Sequence, residues 1–197
     1  MTENKNTKPK RAYHKTSETQ KLIFQKAMAL MSEKGYQGTT VREICTALGI
    51  PVGTFYNCYK SKMDILEDVY DEGDAYFEEI EAELKGKDAI TQLHIFTRSY
   101  ARLNIKTGID VMRVLFYPTN EWFARRRPMQ ELMLKILEDG RASGELREDI
   151  DAEKTLDTIF DVFRGTCYNW CIFDGEFDLT ERLDAHMDLL CMALKKE

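Results

Sequence analysis

The chain has 197 residues, of which 43% are hydrophobic and 31% charged, so it is long enough and apolar enough to bury a core. It contains no run of 18 apolar residues, and residues 1–15 are polar and basic, so we expect neither a transmembrane helix nor a secretory signal. The five cysteines are odd in number and irregular in spacing, which argues against a disulfide framework and favours a cytoplasmic protein.

The net charge of −6 conceals a strong segregation of charge along the chain. Residues 1–62 carry 11 Lys and Arg against 4 Asp and Glu, whereas residues 63–197 carry 17 against 30. A basic first part joined to an acidic remainder suits a protein that offers one face to a polyanion such as DNA. A basic tail on an ordinary acidic protein would give the same count, so charge alone does not decide between the two.

The sequence predicts an all-α protein of about nine helices. Only four prolines occur, and no alternation of apolar and polar residues persists long enough to indicate strands. Ser17 with Gln20 and Thr40 with Glu43 have the spacing of capping boxes that open helices. Residues 1–16 are expected to form a disordered basic arm. The helices are predicted at 17–35, 40–49, 51–58, 62–84, 88–104, 109–117, 128–142, 152–173 and 179–194.

The second and third helices have the length and the connecting turn of a helix-turn-helix. Gly49 allows the backbone to turn at positive φ between them. The third helix would expose Thr54, Tyr56 and Asn57, whose hydrogen-bonding groups suit the major groove of DNA. Phe55 would point inward as an anchor. The alternative is a helical hairpin that serves only in packing.

Three short segments make the interpretation of this region more specific. They are Gly35–Ile44 (GYQGTTVREI), Leu48–Tyr56 (LGIPVGTFY) and Lys60–Lys62 (KSK). Together they resemble the DNA-binding signature of the TetR family of bacterial transcriptional regulators over roughly residues 17–66. The resemblance implies a three-helix DNA-binding domain at 17–63 and a helical ligand-binding and dimerisation domain at 64–197. It also implies a homodimer that binds a double-stranded DNA operator.

The resemblance assigns DNA contacts to positions that match the signature and to the basic arm. Hydroxyl and N–H groups at the start of the second helix would meet phosphate, and the third helix would lie in the groove. The expected DNA-binding residues are Lys10, Arg11, Thr39, Thr40, Val52, Thr54, Tyr56, Asn57, Lys60 and Lys62. Two positions depart from the family pattern. Pro51 stands where the family often has serine, so a side-chain cap or phosphate contact is missing there. Cys58 stands where the family usually has histidine or tyrosine, and cysteine is a poor substitute for these phosphate ligands.

The last two helices each carry an apolar stripe, and the resemblance implies that they form a four-helix bundle between two subunits. The expected interface residues are Leu156, Phe160, Phe163 and Cys167 on the penultimate helix and Leu183, Met187 and Leu190 on the last. Gly165 would let helices approach closely. The alternative is that both stripes belong to the core of a single protomer.

Bulky apolar side chains in the second domain suit a cavity for a small apolar or aromatic effector. The candidate lining residues are Phe96, Tyr100, Met112, Phe116, Trp122, Met133, Phe163 and Tyr168, although most such residues in helical proteins are simply core. Cys167 and Cys171 share a helix face, but no His or second Cys pair lies near them in sequence, so we predict no metal site. We predict no cofactor.

These observations favour a repressor that binds a pseudo-palindromic operator as a homodimer and is released by a small effector. The alternative is a DNA-binding factor without a small ligand, controlled by a protein partner or by cysteine redox chemistry. No nucleophile elbow, phosphate-binding glycine loop or metal-ligand spacing occurs in the sequence, so we do not expect an enzyme.

Overall fold

The computed structural model describes residues 17–116 and 126–196, and this part of the chain contains nine α-helices and no β-strand. They are α1 (Glu18–Gly38), α2 (Val41–Leu48), α3 (Val52–Cys58), α4 (Ile65–Leu84), α5 (Ala89–Thr107), α6 (Ile109–Leu115), α7 (Pro128–Ser143), α8 (Ala152–Ile172) and α9 (Leu179–Leu194). The prediction of an all-α fold with about nine helices is confirmed. The arm 1–16 with Lys10 and Arg11, and Trp122 in the second domain, lie outside the described residues.

Local side-chain caps fix several helix ends. The hydroxyl of Thr40 accepts the backbone N–H of Glu43, whose carboxylate in turn accepts the N–H of Thr40, so the predicted capping box at α2 is complete. Gly49 ends that helix in the left-handed region with φ 66°. The box at α1 is only half formed. Ser17 accepts the N–H of Gln20, but the Gln20 side chain donates to Asp68 on α4 and does not accept the backbone N–H of Ser17.

The first helix continues past its predicted end. Gly35 adopts φ 77°, as a C-terminal glycine would, but the chain resumes a further turn to Gly38. This backbone conformation produces a kink at Lys34 and Gly35. A side chain at Gly35 would also stand 3.1 Å from the Oδ2 of Asp110 on α6. Sequence periodicity does not detect the extra turn, which adds the buried Tyr36 to the core, because Gly35 has the position of a C-terminal glycine.

Helices α1–α3 form a small head, which corresponds to the predicted DNA-binding domain, and α4–α9 form a larger body. Ile23, Ile44 and Phe55 are fully buried and belong to α1, α2 and α3 respectively. Helix α4 leaves the head and packs on α5 and α7 in the body, and α1 also packs against α6. The head is therefore joined to the body through α4 and through the contact of α1 with α6.

The body is built around α5 and α8 and contains a cluster of aromatic rings. Phe77 on α4 and Phe96 on α5 have ring centroids 4.6 Å apart, and Tyr100 lies 4.9 Å from Phe163 on α8. Phe160 contacts Phe96, Tyr100 and Phe163. These five residues are called the aromatic cluster below. Within the described ranges, no helix is both long and apolar enough to cross a membrane.

Candidate DNA interface and effector-binding body

Helix α3 divides into an anchored side and an exposed side. Phe55 is fully buried, and its ring lies 5.5 Å from that of the buried Tyr59 just beyond the helix. Val52 is 40% exposed and Tyr56 55% exposed. Asn57 and Lys60 are also exposed, whereas Thr54 is half-buried. Because the apolar anchors fix the orientation of the helix, the exposed side chains form a defined surface of the size and chemistry that major-groove reading requires.

The two threonines before α2 are engaged within the protein. Thr39 is 1% exposed, and its hydroxyl donates to the carbonyl of Gly35 at 2.9 Å. Thr40 is exposed, and its hydroxyl donates to Glu43 at 2.7 Å. Hydrogen bonds from Lys34 and then from Thr40 lower the pKa of Glu43 to about 2, so this carboxylate is ionised at neutral pH. A phosphate at Thr40 would have to replace Glu43 as the acceptor.

Lys62 stabilises the turn between α1 and α2. Its Nζ donates to the carbonyls of Tyr36 and Thr39, the latter at 2.7 Å, and lies 4.0 Å from the centre of the Tyr36 ring. Burial lowers the pKa of this amine. The predicted phosphate contact of Lys62 therefore competes with an internal role that the sequence did not reveal.

Asp68 on α4 connects α1 and the segment after α3 to the body. It accepts a hydrogen bond from the hydroxyl of Tyr59, which follows α3, and another from Gln20 Nε2 on α1 at 3.2 Å. Burial, followed by the bond to Asp68, raises the pKa of Tyr59, so the phenol remains a donor. No motif in the sequence pointed to Asp68. Its one available signal was an acidic residue directly before Val69, within the buried stripe of α4.

The predicted effector-pocket residues fall into an interior set and a surface set. Phe96, Tyr100, Met112, Met133 and Phe163 are all buried. Three of these belong to the aromatic cluster, where their rings contact one another. Phe116 is half-buried and contacts the ring of Tyr168 at 6.0 Å. Tyr168 is 51% exposed, so the structure corrects its assignment: this residue lies at the surface of α8, not in the interior.

The predicted dimer stripe lies inside the protomer. Six of its members are at most 3% exposed: Leu156, Phe160, Phe163, Cys167, Leu183 and Met187. Leu190 is half-buried against the core. These residues pack α8 and α9 onto the rest of the body, so they cannot line an interface with a second copy, and the alternative of a protomer core is correct for them.

Different apolar residues on the same two helices are exposed. Ile172 on α8 is 55% exposed, and on α9 Leu189 and Met192 are 64% and 78% exposed. Together with Tyr168 and the exposed Gly165 they form what we call the outer face of α8 and α9. A side chain at Gly165 would meet no atom within 4 Å, so the backbone there is open to close approach. The sequence contained this second stripe, at spacings of three and four residues, beside the stronger core stripe.

A buried ion pair joins α4 to the start of α7. Arg127 donates to the carbonyl of Tyr70, and its Nη2 lies 2.9 Å from Asp74 Oδ1. The two side chains are only 12% and 16% exposed. Burial raises the pKa of Asp74, although Arg127 opposes the effect. The Nε of Arg127 is buried and has no hydrogen-bond partner among the described residues. No spacing in the sequence pointed to this pair.

The cysteines of the body are protonated thiols. Cys167 and Cys171 on α8 and Cys191 on α9 are buried. Burial raises the pKa of all three thiols, to about 11 for Cys171 and Cys191. In the part of the chain that the structure describes, no three His, Cys, Asp or Glu side chains are grouped to hold a metal ion.

Comparison with known proteins agrees with this architecture. Residues 23–69 match the description "Bacterial regulatory proteins, tetR family", and residues 127–193 match "YsiA-like protein, C-terminal region". The chain is 24% identical to the fatty acid metabolism regulator protein of Bacillus subtilis over 177 residues, which is 85% of this chain and 91% of that protein. It is 30% identical to the HTH-type transcriptional repressor KstR2 of Rhodococcus jostii over 139 residues, covering 64% and 67% of the two chains.

Solved structures with the same fold include three regulators named FadR. The fatty acid degradation regulator FadR of Bacillus halodurans superposes with a TM-score of 0.74 at 22% identity, covering 90% of this chain and 96% of that one. FadR of Bacillus subtilis in complex with stearoyl-CoA gives 0.71 at 25% identity, covering 86% and 96%. FadR of Thermus thermophilus in complex with lauroyl-CoA gives 0.65 at 28% identity, covering 87% and 92%. The helix-turn-helix, the helical body and these matches together establish that the chain belongs to the TetR family of bacterial transcriptional regulators.

Proposed function

We propose that this protein is a transcriptional repressor that binds a pseudo-palindromic operator as a homodimer and is released by a fatty acyl-coenzyme A. The observation that carries the proposal is the exposed side of α3, where Val52, Tyr56 and Asn57 stand on a helix anchored by Phe55. In a dimer, two such helices about 34 Å apart would enter successive major grooves.

The proposed dimer uses the outer face of α8 and α9. Burial of this exposed apolar face would remove large side chains such as Leu189 and Met192 from water, which favours association. The same surface on both subunits would meet across a twofold axis. The open position of Gly165 permits the backbones of two α8 helices to come close together.

The effector class is suggested by the relatives and is compatible with the interior. The structures of related FadR proteins hold stearoyl-CoA and lauroyl-CoA, which combine a long apolar chain with an anionic group. The aromatic cluster would supply apolar surroundings for an acyl chain. Since Phe77 on α4 contacts Phe96 on α5, a chain inserted between them would displace α4.

Helix α4 is the element through which the effector would act. Near the start of α4, Asp68 accepts hydrogen bonds from Tyr59 and Gln20 of the head. Further along the same helix, Phe77 belongs to the aromatic cluster of the body. A displacement of α4 would therefore change the separation of the two recognition helices in the dimer. An effector achieves this only by binding the displaced arrangement more tightly than the DNA-bound one.

A second candidate is a DNA-binding factor without a small effector. The contact between the rings of the aromatic cluster favours it, because a packed interior leaves no space for an acyl chain without rearrangement. Control through the body cysteines is disfavoured, since thiols with a pKa of about 11 are weak nucleophiles at neutral pH.

One titration distinguishes the two candidates. A duplex selected from random DNA by the purified protein is labelled, and its affinity is measured by fluorescence anisotropy with stearoyl-CoA, coenzyme A or stearate present. We expect stearoyl-CoA to weaken DNA binding about tenfold or more, within the usual range of allosteric coupling, and coenzyme A to leave it unchanged. Unchanged affinity in all three would favour the second candidate, and failure to select any duplex would refute both.

A further inference from the structure

A pocket of about 340 Å³ lies where the head meets the body, away from the aromatic cluster. Met31 and Ser32 near the end of α1 form its head side. The segment from Ile105 to Val111, which includes the turn between α5 and α6, and the end of α8 form its body side. None of the predicted effector-pocket residues lines it. Its volume is in the range of small-molecule sites.

Trp170 gives this pocket an unused hydrogen-bond donor. The side chain is 7% exposed and lines the pocket, next to the apolar side chains of Ile105 and Ile109. Its indole N–H donates to no acceptor among the residues that the structure describes. Although the side chain is largely buried, its indole nitrogen is open to solvent, so a ligand in the pocket can take the place of water as the acceptor.

The rim of the pocket carries a surplus of negative charge. The carboxylates of Asp110 and Asp174 both line it. Arg113 pairs with both, with its Nη1 3.5 Å from Asp110 and its Nη2 3.0 Å from Asp174. Arg113 also donates to the carbonyl of Cys171 at 3.1 Å, which fixes its position between the two acids. One guanidinium facing two carboxylates leaves one negative charge uncompensated.

We propose that this pocket binds a small organic cation, namely an amine that has an apolar body and one hydrogen-bond acceptor. The apolar body would lie against Trp170, Ile105 and Ile109, and the acceptor would take the indole N–H. The ammonium group would face Asp110 and Asp174. An anionic ligand of the same shape would meet the surplus negative charge and be rejected.

Such a ligand would influence the position of the head. Its pocket has one wall on α1 and the others on α5, α6 and α8, and Asp110 also lies beside the kink at Gly35. Any difference in its affinity between two head positions would shift their populations. This site goes beyond the proposed acyl-coenzyme A response and would give the protein a second input.

Three phenoxy compounds that differ only in charge test the chemistry of the site. They are 2-phenoxyethylamine, 2-phenoxyethanol and phenoxyacetate, which all carry the same ring and ether oxygen. Each is titrated into ¹⁵N-labelled protein with Trp122→Phe, so that the remaining indole N–H resonance belongs to Trp170. We expect the amine to move this resonance saturably and to bind about three- to tenfold more tightly than the alcohol, with the carboxylate weakest.

Variants of the rim carboxylates provide the second arm. Asp110→Asn combined with Asp174→Asn should weaken amine binding about three- to twentyfold, because two partly exposed charge contacts are lost. Asp139→Asn, an exposed acid on α7, should leave it unchanged. An indole resonance that the amine does not move, or equal affinities for amine and alcohol, would overturn the proposal. The titration requires neither DNA nor acyl-coenzyme A, so its failure is separate from failure of the proposed function.

Discussion

At the residue scale, a few polar side chains fix the position of the DNA-reading helix. Asp68 is central among them because it accepts hydrogen bonds from Tyr59 after α3 and from Gln20 on α1 while belonging to α4. Tyr59 is 4% exposed, so its hydroxyl has little access to water as a substitute acceptor. Asp68 therefore adds a polar link to the apolar anchors that orient α3.

Asp68→Ala should destabilise the protein by about 1–3 kcal/mol, because the buried hydroxyl of Tyr59 loses its carboxylate acceptor and keeps only the carbonyl of Gln20 at 3.4 Å. It should also weaken DNA binding, since α3 would be less firmly held. Urea denaturation and anisotropy with the selected duplex measure the two effects. Glu79→Ala, an exposed acid on the same helix, is the control and should change neither. Equal stability of the two variants would show that the hydrogen bonds of Asp68 contribute nothing.

Gly35 is a second position where one residue is required. Gly35→Ala should cost about 1–2 kcal/mol, because its φ of 77° disfavours a side chain and the new methyl group would stand 3.1 Å from Asp110. Gly53→Ala is the matched control, since a side chain there meets nothing within 4 Å and alanine favours the helix. In thermal unfolding, Gly35→Ala should lower the Tm and Gly53→Ala should raise it. A Gly35→Ala variant as stable as the parent would contradict the kinked geometry.

At the element scale, the sequence predicted where the helices lie but not which face of each helix is buried in the protomer. Caps such as Thr40 with Glu43 and the turn at Gly49 are local, so their spacing predicts them before any tertiary contact is known. Helix α8 has two apolar stripes, and the packing of the other helices decides which of them faces the core. The sequence predicted that the stronger stripe would contact a second subunit, but it is buried within the protomer. The internal contacts of Lys62 and Arg127 join residues 23 to 57 positions apart, so no local pattern reports them.

The ion pair between α4 and α7 predicts a pH-dependent defect. Arg127→Met should destabilise the protein by about 3 kcal/mol at neutral pH, because Asp74 is left buried without its counter-ion. Burial already raises the pKa of Asp74, and removal of Arg127 should raise it further. A raised pKa in the folded state means that stability falls as pH rises through it, so the defect should shrink as pH is lowered.

Urea denaturation of Arg127→Met across a pH series measures this dependence. The double variant Asp74→Leu with Arg127→Met is the control, since it removes both charges and should recover most of the lost stability with little dependence on pH. If the single and double variants are equally unstable at every pH, Arg127 stabilises α7 through packing and not through its charge.

At the scale of the whole molecule, the proposed function gives the head and the outer face of α8 and α9 complementary tasks. The head presents the exposed side of α3, and the outer face of α8 and α9 presents apolar residues at the opposite end of the chain. In the proposed homodimer, each protomer would read one half-site of a pseudo-palindrome, and the outer face would hold the two heads at a fixed separation. Dimerisation and DNA affinity should therefore fail together.

Tyr168→Glu combined with Leu189→Glu should convert the proposed dimer to a folded monomer, because each substitution places a charge in the centre of the proposed interface. The two side chains are 51% and 64% exposed in the protomer, so their replacement should leave its core intact. Sedimentation velocity measures the mass of the particle, and circular dichroism measures its helix content.

The control is Leu22→Glu, which changes an apolar residue of α1 that is 52% exposed and lies away from that face. This variant should remain dimeric. A monomeric parent protein, or a double variant that stays dimeric, would place the interface elsewhere. A monomeric variant that still binds the full operator with parental affinity would show that the two heads act independently.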